Sequence, residues 1–181
     1  MIIGITGTDG AGKGEVVAFL VEHFGFAHFS SRELIVAEIE KRGLENTRPN
    51  MREVANAMRE EKGAGVIVEV ALEKIKAGRV EKAIIESIRN LQEVETLKKA
   101  GGILLAVDAS QKVRYDRVVN RGGSTDNVSF TEFVAQEEKE MNDENPNGLQ
   151  KAKVIALADY TIKNDSTLAE LHAKIKKWLD V

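Results

Sequence analysis

One segment constrains this chain more than any other. Gly7-Thr8-Asp9-Gly10-Ala11-Gly12-Lys13-Gly14 stands between the apolar run Ile2-Ile3-Gly4-Ile5 and a helical pattern from Lys13 to Phe24. The spacing is G-x-x-x-x-G-K. Several main-chain N–H groups can converge on one anion only where glycine permits close approach and positive φ angles. The helix that follows adds the partial positive charge of its first turn, and the lysine reaches the outer phosphates of a polyphosphate. Strand, loop and helix in this order predict a nucleotide-binding loop built from Thr8, Asp9, Gly10, Ala11, Gly12, Lys13 and Gly14.

The rest of the chain supplies a matching frame. Short apolar runs at 26–29, 83–85, 103–107 and 160–162 read as further strands. Longer patterns read as helices at 30–41, 50–61, 66–76, 90–100, 111–120, 129–141 and 167–179. Ser30 with Glu33, Ser129 with Glu132 and Thr167 with Glu170 have capping-box spacing. Pro49 and Pro146 sit in polar stretches and read as turns. Strands of continuous Ile, Val and Leu alternating with helices indicate a parallel sheet covered on both faces. The expected class is α/β: a three-layer P-loop fold with a five-stranded, mostly parallel sheet and a short helical lid. In such sheets ligands bind beyond the carboxyl ends of the strands, here 6–14, 30–32, 86–89, 108 onward and 163–166.

Composition excludes several alternatives. At 181 residues the chain reads as a single domain, 1–181. It has no cysteine, which removes disulfides, thiolate metal sites and a cysteine nucleophile, and which fits a cytoplasmic location. Neither a leader segment nor an apolar run of membrane-spanning length is visible, so no membrane partner is expected. The net charge of −3 argues against a general nucleic-acid binder. His23, His28 and His172 are too scattered in sequence to suggest a metal cluster.

The loop departs from the full pattern in one respect. Gly14 follows the lysine where a Ser or Thr would meet Mg²⁺. GTDGAGKG is similar to the loop of adenylate kinase and other nucleoside monophosphate kinases, where glycine often follows the lysine and threonine comes next. DGAGK also resembles thymidylate kinases. At the threonine position this chain has Glu15. At ~4 Å two negative charges repel by roughly 4 kcal/mol at an effective dielectric of 20. Glu15 therefore either turns away from the phosphates or helps hold the metal.

Ile84-Ile85-Glu86-Ser87-Ile88-Arg89 ends the third apolar run. A carboxylate at the end of a buried strand near such a loop can hold Mg²⁺ through water, which makes Glu86 the candidate. The segment resembles the DGFPRTxxQAE stretch of adenylate kinases. It is more similar to the DGIRxxxEVE stretch of an archaeal group related to adenylate and dephospho-CoA kinases. By that resemblance Arg89 contacts the acceptor phosphate.

Arg32 follows the second strand, where nucleoside monophosphate kinases have an acceptor-binding arginine. Arg59 lies in a stretch resembling the L-R-E-x-x-G of the archaeal group. A guanidinium presents a planar fork of donors to phosphate, so both are acceptor candidates. Arg117 and Arg121 are four apart and share one helix face. Their DRVVNR stretch resembles the DRIxxR that precedes the lid of adenylate kinases, whose arginines embrace the transferring group. From Ser129 to Asn145 there are six acids and one lysine, Lys139. Where the archaeal relatives have R-D-x-R-E, this chain reads Gln136-Glu137-Glu138-Lys139-Glu140, so a lid arginine is missing. The ALADY and ND-x-T pieces near the last strand also match that group.

The resemblance implies an acceptor-binding helical insertion at about 30–78 and a lid at about 121–148. It implies a kinase with ATP and Mg²⁺ as cofactors and small nucleotides as partners. Lys13, Arg89, Arg117 and Arg121 would carry catalysis. A nucleoside monophosphate is the first-choice acceptor and dephospho-CoA the second. A nucleotide-binding regulatory protein with little kinase activity is the competing expectation, supported by Glu15 and the missing arginine.

Overall fold

A computed structural model describes residues 1–122, 128–141 and 150–180, without the side chains of Arg48 and Lys139. The elements are β1 (Ile2–Gly7), α1 (Lys13–Phe24), β2 (Ala27–Ser30), α2 (Ser31–Lys41), α3 (Arg48–Lys62) and α4 (Val66–Ala77). They continue as β3 (Ala83–Glu86), α5 (Leu91–Lys99), β4 (Ile103–Asp108), α6 (Gln111–Arg121), α7 (Phe130–Met141), α8 (Lys151–Ala156), β5 (Tyr160–Lys163) and α9 (Leu168–Leu179).

The five strands form one sheet in the order β2-β3-β1-β4-β5. Every pairing among the described residues is parallel, so the expectation of a mostly parallel sheet is met. Ile3 of β1 lies opposite Ile84 on one side and Ile103 on the other. The inner strands are runs of Ile, Leu and Val because helices cover both of their faces. On one face α2, α3, α4, α5 and α8 pack through Leu34, Ile39, Val54, Ile67, Val94, Leu97 and Val154 onto Ile85 and Leu104. On the other, α1 and α9 pack through Val16, Leu20, Leu171 and Ile175 onto Ile3, Ile5, Ile84 and Leu105. This is the three-layer α/β arrangement that the alternating pattern required.

Local departures have local causes. Pro49 is not in a turn but in the first turn of α3, where its missing N–H costs nothing. Thr47 caps that helix, accepting from the Asn50 amide, so it starts earlier than the apolar spacing suggests. Ser30 stands at the start of α2 but makes no side-chain cap. The box at Ser129 and Glu132 is formed in both directions. α8, with six residues, is too short to show periodicity and has no signal in the sequence. Residues 123–127 and 142–149 of the expected lid, with Pro146, Asp143 and Glu144, lie outside the described residues.

Candidate functional site

The loop after β1 folds as its glycines demand. Gly10 and Gly12 have φ of +77° and +94°. A Cβ at Gly10 would meet the Arg114 carbonyl oxygen at 2.5 Å, and one at Gly12 would strike the Asn164 amide. Asn164 is buried and donates to the Ala11 carbonyl at 2.8 Å. Its own main-chain amide bonds the Asp108 carbonyl at 2.7 Å. β4 and β5 thus clamp the loop from below. Thr8 is turned to the same support, with its hydroxyl 3.2 Å from Asp108 Oδ1.

Lys13 opens α1 and curls back over the loop. Its ammonium donates to the carbonyls of Gly7 (3.2 Å) and Thr8 (2.8 Å) and lies 3.7 Å from Asp9 Oδ1. Burial holds its pKa below the ordinary lysine value; Asp9 opposes this, while Lys151 and Arg89 add to it. Burial also pulls the Asp9 carboxyl upward. Lys151, Lys13 and Arg89 outweigh that pull and hold it below the usual carboxylate range.

The end of β3 is shaped by strain. Ser87 has φ of +71°, a left-handed conformation costing a residue with a Cβ about 1 kcal/mol or more. Its neighbours enforce the turn. Ile88 donates its amide to the Ile5 carbonyl at 3.0 Å and accepts from the Thr6 hydroxyl at 2.8 Å. Glu93, only 2% exposed, accepts the amides of Arg89 (2.8 Å) and Asn90 (3.1 Å). Burial keeps the Glu93 carboxyl above the usual range despite those amides and Arg59. Glu86 Oε2 lies 2.9 Å from His28 Nε2 of the neighbouring strand.

These elements enclose a cleft of about 700 Å³ lined by Lys13, Glu15, Glu86, Arg89, Arg117 and Arg121, with Asp9 and the loop glycines. Four sequence-selected cations and three carboxylates therefore share one cavity. The Arg117 guanidinium is also 3.5 Å from the Gly10 carbonyl. Glu15 is exposed and borders the cleft. Arg32 and Arg59 do not line this cleft. Arg32 is exposed at the start of α2. Arg59 faces Glu93 at 4.0 Å, and its Nε is buried with no partner among the described residues.

The carboxylates suit a hydrated Mg²⁺ better than a caged ion. Among the described residues no group of three or more His, Cys, Asp or Glu can hold a metal. Mg²⁺ commonly keeps several waters and takes one or two carboxylates plus phosphate oxygens. Glu86, with Glu15 also on the lining of the cleft, fits that donor set.

Two buried cations beside the loop are not evident from the sequence. Arg114, 5% exposed, clasps Glu137 of α7 with both terminal nitrogens and donates from Nε to the Ala109 carbonyl. Lys151, also 5% exposed, pairs with Asp9 Oδ2 at 3.2 Å and with Glu140 of α7. The acidic face of α7 is thus partly an inward, paired face, not only a solvated one. The only sequence signal for Arg114 is its place three residues before Arg117; Lys151 gives none.

No helix among the described residues is long and apolar enough to cross a membrane. Residues 6–132 match a family model described as an AAA domain. A UPF0200 protein of Thermococcus sibiricus is 34% identical over 183 residues, covering 98% of this chain and 93% of its own. Among solved structures, TT1252 from Thermus thermophilus is similar with a TM-score of 0.67 at 22% identity, over 99% of this chain and 96% of that one. Shikimate kinase from Aquifex aeolicus is similar with a TM-score of 0.58 at 18% identity, over 99% and 96%. At such identities the structures share the fold and nothing finer. The glycine loop, the all-parallel sheet and the relatives agree: this chain belongs to the UPF0200 family, with an AAA-type P-loop domain in a kinase-like fold.

Proposed function

We propose that the protein is an ATP-dependent phosphotransferase that moves the γ-phosphoryl group to a nucleoside monophosphate or a similar small nucleotide. The observation that carries this reading is the convergence of Lys13, Arg89, Arg117 and Arg121 with Glu86 on one cleft above the loop. A phosphate acceptor needs no strong base, so the chemistry reduces to alignment and charge neutralisation. Loop amides and the start of α1 hold the donor phosphates. Lys13 leaves its carbonyl partners to meet the outer phosphates. Arg89, set by the Ser87 turn and Glu93, binds the acceptor phosphate. Arg117 and Arg121 neutralise charge that spreads over the transferring oxygens in the transition state. Glu86 would hold Mg²⁺ through water, and the ion would offset the charge of the donor phosphates. Arg32 and Arg59 are acceptor-side candidates from the helical insertion 30–78, and 121–148 is the lid. A cytoplasmic location belongs to the same reading.

A coupled ADP-release assay over a panel of monophosphates and dephospho-CoA tests it. Turnover with one acceptor and Mg²⁺ is expected. Tight ATP binding with no acceptor-dependent turnover would instead support a nucleotide-binding regulatory protein. Glu15 on the cleft wall is the observation that favours this second reading.

A further inference from the structure

We propose that Lys151 is a positioning residue that couples the phosphate loop to α7 through Asp9, and that it keeps Asp9 from holding Lys13 too firmly. One of its two tests rests on the loop being a polyphosphate site; the other does not.

The Asp9 carboxylate is shared between two ammonium groups. Oδ2 lies 3.2 Å from Lys151 and Oδ1 lies 3.7 Å from Lys13. Lys151 is buried, and its second partner is Glu140 of α7. Arg114 repeats the connection at the main chain of the same residue: it lies 3.4 Å from the Asp9 carbonyl and clasps Glu137. Glu137 and Glu140 are three apart and so share a helix face. Two buried cations therefore fasten one face of α7 to one residue of the loop.

Lys151 does not line the 700 Å³ cleft, whereas Asp9 and Lys13 do. It borders a separate void of about 40 Å³ between the loop and α7. Lys151 thus touches the phosphate-facing residues at Asp9, beside its direct repulsion of the Lys13 ammonium. With Lys151 present, Asp9 divides its charge. Without it, Lys13 is the lysine left beside the carboxylate, and an incoming phosphate must compete with Asp9 for that ammonium. Glu140 simultaneously loses a buried partner, while Arg114 and Gln111 still hold Glu137.

Inorganic tripolyphosphate serves as the probe, with affinity measured by calorimetry for Lys151→Met, Asp9→Asn and the double variant. Lys151→Met is expected to bind about tenfold more weakly. The double variant is expected to recover to within about threefold of the original, because the competing carboxylate is gone. Asp9→Asn alone is expected to bind more tightly than the original, because Lys13 then has no carboxylate to leave. A double variant as weak as Lys151→Met, or a tenfold loss in Asp9→Asn alone, overturns the proposal. A role in folding alone predicts no rescue.

The second test needs no ligand. Hydrogen exchange of the full chain is expected to rise together in residues 8–14 and in α7 for Lys151→Met, but in α7 alone for Glu140→Gln. Unchanged exchange in both segments of Lys151→Met overturns the coupling. If the original protein binds no tripolyphosphate, the proposed function falls while exchange still decides on Lys151. Should Lys151→Met fail to fold, Lys151→Arg replaces it. Retained affinity and exchange in Lys151→Arg support the proposal if Glu140→Gln loosens only α7; exchange rising in 8–14 of Glu140→Gln overturns it.

Discussion

His28 and Glu86 meet across adjacent parallel strands, with Nε2 2.9 Å from Oε2. The contact fixes a carboxylate that also borders the cleft above the glycine loop. Under the proposed function Glu86 serves the metal and not the nucleotide directly. Glu86→Gln is expected to leave Mg²⁺-free ATP affinity within about threefold of the original. The gain in affinity on adding Mg²⁺ is expected to fall about tenfold, equivalent to roughly 1.4 kcal/mol. Calorimetry with and without Mg²⁺ checks both parts.

Under the proposed function Lys13 supplies the ammonium that meets the outer phosphates. Lys13→Met is expected to weaken ATP binding about 100-fold, roughly 2.7 kcal/mol, by equilibrium titration. Retained affinity would leave the loop without its assigned role.

Arg121 is assigned to charge that develops during transfer. Arg121→Ala is expected to lower kcat at least about 30-fold while changing ATP affinity less than about threefold. Steady-state kinetics beside direct binding separates the two, and equal losses would remove the transition-state role.

Asn164 and Gly12 lie against each other, so each limits the other. Asn164→Ala leaves the buried Ala11 carbonyl without its 2.8 Å donor, at a cost of about 1–3 kcal/mol. Gly12→Ala meets both a left-handed backbone and the Asn164 amide. Urea unfolding is expected to show Gly12→Ala as less stable than the original. The double variant is expected to relieve the clash but not the backbone strain.

Glu93 gives a pH prediction of defined sign. Burial raises its pKa above the ordinary 4.5, so the native state binds this proton more tightly than the unfolded chain. Its contribution therefore makes stability fall as pH rises from about 4.5 through the raised value. Glu93→Gln keeps an oxygen for the Arg89 and Asn90 amides and is expected to remove this slope. Glu93→Ala leaves both amides unmet and is expected to cost about 1–3 kcal/mol more. Denaturant unfolding between pH 4 and 8 reads both effects.

The sheet and the loop are legible because their signals are local. An apolar run such as Ala83-Ile84-Ile85 fits best between two covered faces, and G-x-x-x-x-G-K leaves few conformations for its backbone. Arg89, Arg117 and Arg121 stand out because they follow strands or share a helix face. Arg59 cannot be assigned to Glu93 from sequence, since that contact joins two helices that no spacing relates. The pairing of Lys151 with Asp9 spans 142 positions of sequence and has no motif. His28 has no neighbouring histidines to suggest a role, but its partner is a carboxylate on the next strand. Long-range ion pairs stay hidden because a charged residue in a helix reads first as a solvated one.

The central place of β1 has a consequence for synthesis. Its first residues take their neighbours from Ala83–Glu86 and Ile103–Val107. A growing polypeptide that has left the ribosome only as far as α4 has the whole glycine loop but neither flank to hold it. Support for the loop therefore arrives late: β4 brings Asp108, and Asn164 follows only after β5. Chains truncated before residue 103 lack both, whatever motif they contain.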